Sequence, residues 1–361
     1  MDKEKRLSPR PPSLAELFKQ NNTPNLPTQT ATPIPEPKIG KQIFENDPAA
    51  PRDFTGFTGQ STATQMLNAV VQDAQTRNRP PEHILLSSGL PGIGKSALSR
   101  LTAFQLNLPY IETQGKVSLK EAIALCSKLQ SASSPNHPGA ILFLDEIHQV
   151  FSGRKEDGEW LLSLMQDRVI LTSEGEKKFP DITIIGATTD GQTIPDAVLS
   201  RFTWAPPLQE YSEDEAVQIA SQSAPHLSTH TLERVARAAA CNPRTIKKIL
   251  NNICVAQSAD LVPQDPDTQE LDLTIPLRWS QVDENGLTLT ARRIYAILFN
   301  KRAWGERGYG MNNIAAELGE PLYPLRDEAL LKRLGLLTVS SNGRSLTEFG
   351  VEFRHNISLE S

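Results

Sequence analysis

Long apolar runs are missing from this chain. No stretch of its 361 residues approaches the ~20 apolar residues needed to cross a bilayer, and the N-terminus has no apolar core of the kind a secretory leader carries. The expectation is a cytoplasmic protein with no membrane contact. Cysteine is scarce as well. Cys126, Cys241 and Cys254 are scattered, odd in number and without C-x-x-C spacing, which excludes a disulfide framework and a zinc ribbon and suits a reducing compartment. An excess of positive charge is also absent. With 37 Lys and Arg against 42 Asp and Glu, the formal net charge is −5, so any nucleic-acid contact must come from a local patch. No long-period repeat is evident.

What the chain does have is one glycine-punctuated segment. The apolar run Leu85-Leu86 leads into Ser87-Ser88-Gly89-Leu90-Pro91-Gly92-Ile93-Gly94-Lys95-Ser96, and a helical stretch from Ala97 to Leu106 leaves it. This is G-x-x-x-x-G-K-[ST] between a strand and a helix, the arrangement in which backbone N–H groups cradle phosphates. Gly89, Gly92 and Gly94 permit the tight turn. Lys95 would reach the β- and γ-phosphates, and Ser96 would ligate Mg²⁺. About 50 residues later, Ala140-Ile141-Leu142-Phe143-Leu144-Asp145-Glu146 reads as a buried parallel strand ending in acids. There Asp145 would serve Mg²⁺, and Glu146 the attacking water. Ile182 to Thr189 is a further buried strand ending in two hydroxyls. Arg201, in Val198-Leu199-Ser200-Arg201-Phe202, is a candidate finger for the γ-phosphate.

Around these motifs the chain divides into four stretches. Residues 1–50, rich in Pro, Thr, Asn and Gln, read as a disordered tail with one helical island at 13–20, where Leu14, Leu17 and Phe18 share a face. Alternating helices and buried strands over 51–207 give a three-layer α/β domain with a parallel sheet. Within it, 168–179 reads as a hairpin turning at Glu174-Gly175. Residues 208–283 hold three helices without strands and a polar linker, a small helical lid. Its last helix opens at Asn242-Pro243-Arg244, from which Arg244 would lean over the nucleotide. Residues 284–361 read as helices followed by a two-stranded wing turning at Asn342-Gly343, a winged helix–turn–helix.

In this order the motifs resemble those of the AAA+ ATPases, and among them the RuvB-type branch-migration motors, from about Phe54 to Phe353. Phe57-Thr58-Gly59-Gln60 is similar to the family's adenine-side motif, Gly89 to Ser96 to Walker A, and Leu144-Asp145-Glu146-Ile147-His148 to Walker B. Ile185 to Thr189 resembles sensor 1, Ser200-Arg201-Phe202 the arginine-finger segment and Asn242-Pro243-Arg244 sensor 2, while Tyr211 falls where an aromatic meets the base. The resemblance implies ATP and Mg²⁺ as ligands. Gly89, Pro91, Gly92, Ile93, Gly94, Lys95, Ser96, Ala97, Asp145, Phe57, Tyr211 and Pro243 would bind nucleotide. Glu146, Thr189, Arg244 and a neighbour's Arg201 would act in hydrolysis. It also implies a hexameric ring acting on branched or duplex DNA.

The wing residue Arg344, with Lys332 and Arg333 on the preceding helix, is the expected DNA contact. The hairpin 168–179, which resembles the element that docks on RuvA, and the segment 13–20 are the expected protein contacts. The chain departs from the family pattern in its hairpin, which is shorter, in its sparsely basic wing, and in Ala50-Pro51, which lacks the usual Arg before the proline. Two alternatives stay open at this stage: an AAA+ loader that places a partner protein on DNA, and a protein-remodelling ATPase.

Overall fold

The uninterrupted apolar runs become the middle of one sheet. In a computed structural model, which describes residues 34–45, 50–134, 139–152, 158–264, 270–305 and 307–356, four parallel strands stand in the order β1-β6-β3-β2. They are β1 (Ile84–Ser87), β2 (Tyr110–Gln114), β3 (Ala140–Asp145) and β6 (Ile182–Thr188). β3 and β6 are central, which is why five of six and all seven of their residues are buried. Successive side chains in a strand face opposite sides. Ile141 and Phe143 of β3 pack with α1 (Ser61–Arg77) and α2 (Lys95–Leu106) on one face. On the other face lie α3 (Leu119–Ala132) and α4 (Glu159–Asp167), which pack on β2, β3 and β6. The result is the three-layer α/β architecture expected.

β4 (Val169–Thr172) and β5 (Gly175–Lys178) form a separate antiparallel hairpin, pinned to α3 by Lys177 Nζ donating to Ser127 Oγ at 2.9 Å. Thr172 pairs with Gly175, so Ser173 and Glu174 make the tip, one residue earlier than the expected turn.

Pro35–Ser361 forms one unit, and the described residues of 35–45, expected to belong to a loose tail, attach to it at two places. Lys38 exchanges both backbone hydrogen bonds with Tyr110, adding an antiparallel bridge to the outer edge of β2. The short 3-10 helix Gly40–Phe44 then buries Ile43 and Phe44. Phe44 meets Phe104 edge-on at 5.3 Å, and the Arg52 guanidinium covers both rings. The proline-rich composition hides this two-residue anchor. The island at 13–20 lies outside the described residues. Replacing Phe44 with Ala is expected to cost about 3–5 kcal/mol of local anchoring, typical of a buried Phe. Limited trypsinolysis reads this as faster cleavage after Lys38 and Lys41.

Two further apolar clusters follow. α6 (Glu213–Ser223), α7 (Thr229–Ala238), α8 (Pro243–Ser258) and α9 (Thr274–Ser280) enclose Ile246, Ile249, Leu232 and Leu277 without strands; α5 (Asp196–Leu199) precedes them. The last cluster is built by α10 (Leu289–Asn300), α11 (Met311–Leu318), α12 (Leu325–Arg333), the hairpin β7 (Leu337–Ser340) with β8 (Gly343–Leu346), and α13 (Glu348–Glu352). Tyr309 bridges Arg344 in antiparallel fashion, so the glycine-rich loop before α11 pairs with this hairpin. The tip of this hairpin is Ser341-Asn342. No described helix is long and apolar enough to cross a membrane.

Candidate nucleotide site

β1 delivers the chain to the phosphate loop at the C-terminal edge of the sheet. Gly92 (φ +81°) and Gly94 (φ +102°) hold the left-handed conformations the loop requires. Gly94 is also the N-cap of α2 and offers no side chain, so the first-turn N–H groups of α2 are left for an outside acceptor. That turn carries no acidic residue to offset the helix dipole. Lys95 is buried, and its Nζ donates to Ser88 O at 3.2 Å and Leu90 O at 2.9 Å, spanning the loop. Burial lowers the Lys95 pKa; the carboxylates of Glu146 and Asp145 oppose that shift, and the Arg244 charge adds to it.

β3 ends in the two acids. Burial and then the charge of Glu146 hold the Asp145 pKa above the ordinary carboxylate value. Glu146, in a left-handed conformation (φ +51°), turns its carboxylate to the end of β6. Its Oε2 accepts from Thr189 N at 3.0 Å and Thr189 Oγ1 at 2.9 Å. His148 Nδ1 lies 3.3 Å from the same oxygen and 2.9 Å from Thr188 Oγ1. In the sequence His148 stands only as the last residue of the Walker B-like segment; its place beside Glu146 follows from the 3-10 helix Ile147–Phe151, which the apolar pattern does not announce.

The helical unit α6–α9 and the segment leading into it lie against this edge. Tyr211, buried, donates its hydroxyl to Ile93 O at 3.1 Å, and burial pushes the phenol up to about 12. Gln60 clamps the strand-to-lid connection, donating to Gln209 O and accepting from Gln209 N. Asn242 does two things at once. Its Oδ1 caps α8, accepting from the N–H groups of Arg244 and Thr245, and its Nδ2 donates to Pro91 O at 2.8 Å. A Cβ at Gly92 would stand 2.7 Å from Asn242 Oδ1 and 2.9 Å from Arg244 Cβ, so only glycine lets loop and lid touch. Asn242 was absent from the residues expected at the site; the preference of Asn for N-caps was the available signal. Arg244 is exposed, and its charge is felt at both Lys95 and Asp145.

Between the lid and the α/β layer lies a cavity of about 410 Å³ walled by Phe57, Gly94, Ala97, Tyr211, Leu227, Pro243 and Leu250. Apolar walls with few polar groups suit a flat base. The uncapped turn of α2 suits phosphates. The Ser96 hydroxyl and the Asp145 carboxylate are hard oxygen donors of the kind Mg²⁺ takes. The residues present therefore fit a nucleotide and its metal.

The remaining expected residues lie apart from this cluster. Arg201 is bound within its own segment, donating to Ala197 O and to Gln166 Oε1. Among the described residues no hydrogen bond or ion pair joins it to the phosphate loop. Arg344 does not project from the wing. Its Nε donates to Glu328 Oε2 at 2.7 Å, its guanidinium lies over the Tyr323 ring, and the Arg344 and Glu328 side chains are only 18% and 10% exposed. Arg344, expected as a DNA contact near the turn, is paired inward: β8 bridges Tyr309 at this residue, and the buried Glu328 takes the guanidinium. Lys332 stays exposed, while Arg333 is half-buried.

Comparison with known proteins bears on the same residues. Residues 49–208 match the family described as the Holliday junction DNA helicase RuvB P-loop domain. A Holliday junction branch migration complex subunit RuvB from Bdellovibrio bacteriovorus is 29% identical over 331 residues, covering 87% of this chain and 95% of that protein. The protein of the same description from Lacticaseibacillus casei is 29% identical over 317 residues, covering 83% and 89%. Among solved structures, the Thermotoga maritima RuvB Holliday junction branch migration motor superposes with a TM-score of 0.63 at 24% identity, over 85% of this chain and 98% of that one. At that identity the likeness speaks for the fold.

Proposed function

We propose that this RuvB-like AAA+ ATPase is an ATP-driven DNA motor that works as a homo-oligomeric ring, hexameric by resemblance, in the cytoplasm. The reading is supported above all by the convergence of Lys95, Asp145, Glu146, Thr189 and Arg244 on one edge of the sheet beneath a lid that touches the phosphate loop through Asn242. The α2 N-terminus and Lys95 hold the phosphates of ATP, and the apolar cavity takes the adenine. Ser96 and Asp145 would hold Mg²⁺, which would supply charge neutralisation at the phosphates. Glu146 orients water and accepts its proton as the water oxygen bonds to γ-phosphorus and the bond to the β-phosphate oxygen breaks, releasing ADP and phosphate. Before that step Glu146 must exchange its hold on Thr189 for the water, which makes Thr189 a sensor of the γ-phosphate. Arg244 and a neighbour's Arg201 stabilise the charge that develops. The lid then turns against the α/β layer and moves the C-terminal unit along DNA.

The deciding experiment is ATP turnover with no DNA and with branched, duplex and single-stranded DNA. A motor of this kind is stimulated by DNA, most by the branched form, and displaces a branch. Turnover indifferent to every DNA would overturn the motor reading. A second reading is a loader that uses ATP to place a partner protein on DNA through the tail. It is favoured by the inward pairing of Arg344 with Glu328 and by the exposure of Leu322 (80%) and Leu325 (62%) in the C-terminal unit, which suits protein contact better than DNA.

Two substitutions separate DNA contact from folding. Arg344→Ala leaves Glu328 buried without a partner and is expected to destabilise the C-terminal unit by about 3–5 kcal/mol, seen as a lowered Tm. Lys332→Glu is expected to leave Tm unchanged, weaken DNA binding on all sequences alike and flatten its salt dependence. Unchanged DNA affinity in Lys332→Glu would remove this helix from the interface.

A further inference from the structure

The turn Ala240-Cys241-Asn242 is gripped from two sides. On one side Asn242 Nδ2 holds Pro91 O of the phosphate loop at 2.8 Å. On the other, the turn that opens the C-terminal unit presses on it. Gly286 (φ +79°) sits so close that a Cβ there would lie 3.1 Å from Arg237 O and 3.2 Å from both Ala240 N and Ala240 Cβ. Burial and then the Glu213 charge raise the Cys241 thiol pKa, and the charge of Arg333 on α12 opposes the rise.

Between these grips the backbone is left-handed at two successive residues that carry side chains, Ala240 (φ +47°) and Cys241 (φ +56°). Such residues normally adopt this conformation singly, and it persists where the surroundings over-determine it. Here they do: Ala240 N donates to Arg237 O at 2.8 Å and Cys241 N to Ala236 O at 3.0 Å, closing the end of α7. A turn fixed this way cannot be displaced at one end without moving the other.

We propose that this turn carries the state of the phosphate loop to the C-terminal unit, with Asn242 as the positioning residue at its nucleotide end, acting through Pro91. The proposal rests on the nucleotide reading above and deepens it. Loss or gain of nucleotide shifts Pro91 O; Asn242, which also caps α8, moves with it; the contact of Ala240 with Gly286 passes the shift toward α10. The coupling is reciprocal, so whatever the C-terminal unit binds alters nucleotide affinity by the same factor.

The test follows hydrogen exchange in residues 89–97 and 283–292 of the full chain, with and without ADP and Mg²⁺. In the unaltered protein ADP is expected to slow exchange in both segments. In Asn242→Ser the hydroxyl still caps α8 but is too short to reach Pro91. ADP is then expected to slow 89–97 and not 283–292, while its Kd rises about 3- to 10-fold, the scale of one neutral hydrogen bond. In Gly286→Ala the added Cβ meets Arg237 O and Ala240, and the response at 283–292 is lost while 89–97 still responds to ADP. If that variant does not fold, Asn242→Ser decides alone. An unaltered response at 283–292 in Asn242→Ser overturns the proposal, and so does an unaltered protein that responds at 89–97 only. No ADP response at 89–97 in the unaltered protein would overturn the nucleotide reading and the coupling with it.

Discussion

Glu146→Gln is expected to bind ATP about as tightly as the unaltered protein and to hydrolyse it about 10²- to 10⁴-fold more slowly, the range for loss of a positioned general base. The substitution is isosteric. Gln keeps a carbonyl oxygen where Glu146 Oε2 accepts from Thr189 N and Oγ1, so the end of β6 and the loop stay in place. What is lost is the ability to accept a proton from water. Nucleotide affinity by fluorescence and single-turnover hydrolysis read the two effects separately. Full turnover in Glu146→Gln would remove this residue from the chemistry and leave the phosphate loop as a binding site only.

The second large effect depends on a neighbour. Arg201→Ala is expected to lower ATP turnover by about 10³- to 10⁵-fold, as for arginine fingers elsewhere. Because Arg201 is tied to Ala197 and Gln166 and not to its own phosphate loop, the loss should be repairable in trans. Mixing Arg201→Ala with Glu146→Gln, each inactive, creates junctions in which an intact Glu146 faces an intact Arg201 of the next subunit. Recovered turnover in the mixture, rising with protein concentration, is the expected result. A mixture as inactive as its parts would mean that Arg201 serves its own subunit or none.

The parts legible in the sequence are those where a local pattern answers to one physical demand. Ile141 to Leu144 and Ile182 to Ile185 read as central strands because a strand buried on both faces has no polar alternation to show. Gly92, Gly94 and Lys95 were legible because phosphate binding dictates their spacing. The parts that were not legible depend on partners distant in the chain. Arg344 near a turn reads as a DNA contact, and its hold by Glu328, on another element, has no local sign. Asn242 reads only as the start of the Asn242-Pro243-Arg244 motif because its partner in the phosphate loop, Pro91, is 151 residues away. Ile43 and Phe44 read as part of a loose tail because composition averages over the two residues that anchor it. His148 reaches Glu146 only through a 3-10 turn whose period the apolar pattern does not carry.

The bridge between Lys38 and Tyr110 has a consequence for assembly. At one border of the sheet it occupies the backbone N–H and C=O of Tyr110, and at the other Leu85 N donates to Trp204 O while Trp204 N donates to His83 O. Exposed strand borders are templates on which further chains polymerise. Here the chain's own short segments take the first of those places, Lys38 at Tyr110 and Trp204 at the start of β1. A second copy that approached strand to strand would find these positions already paired.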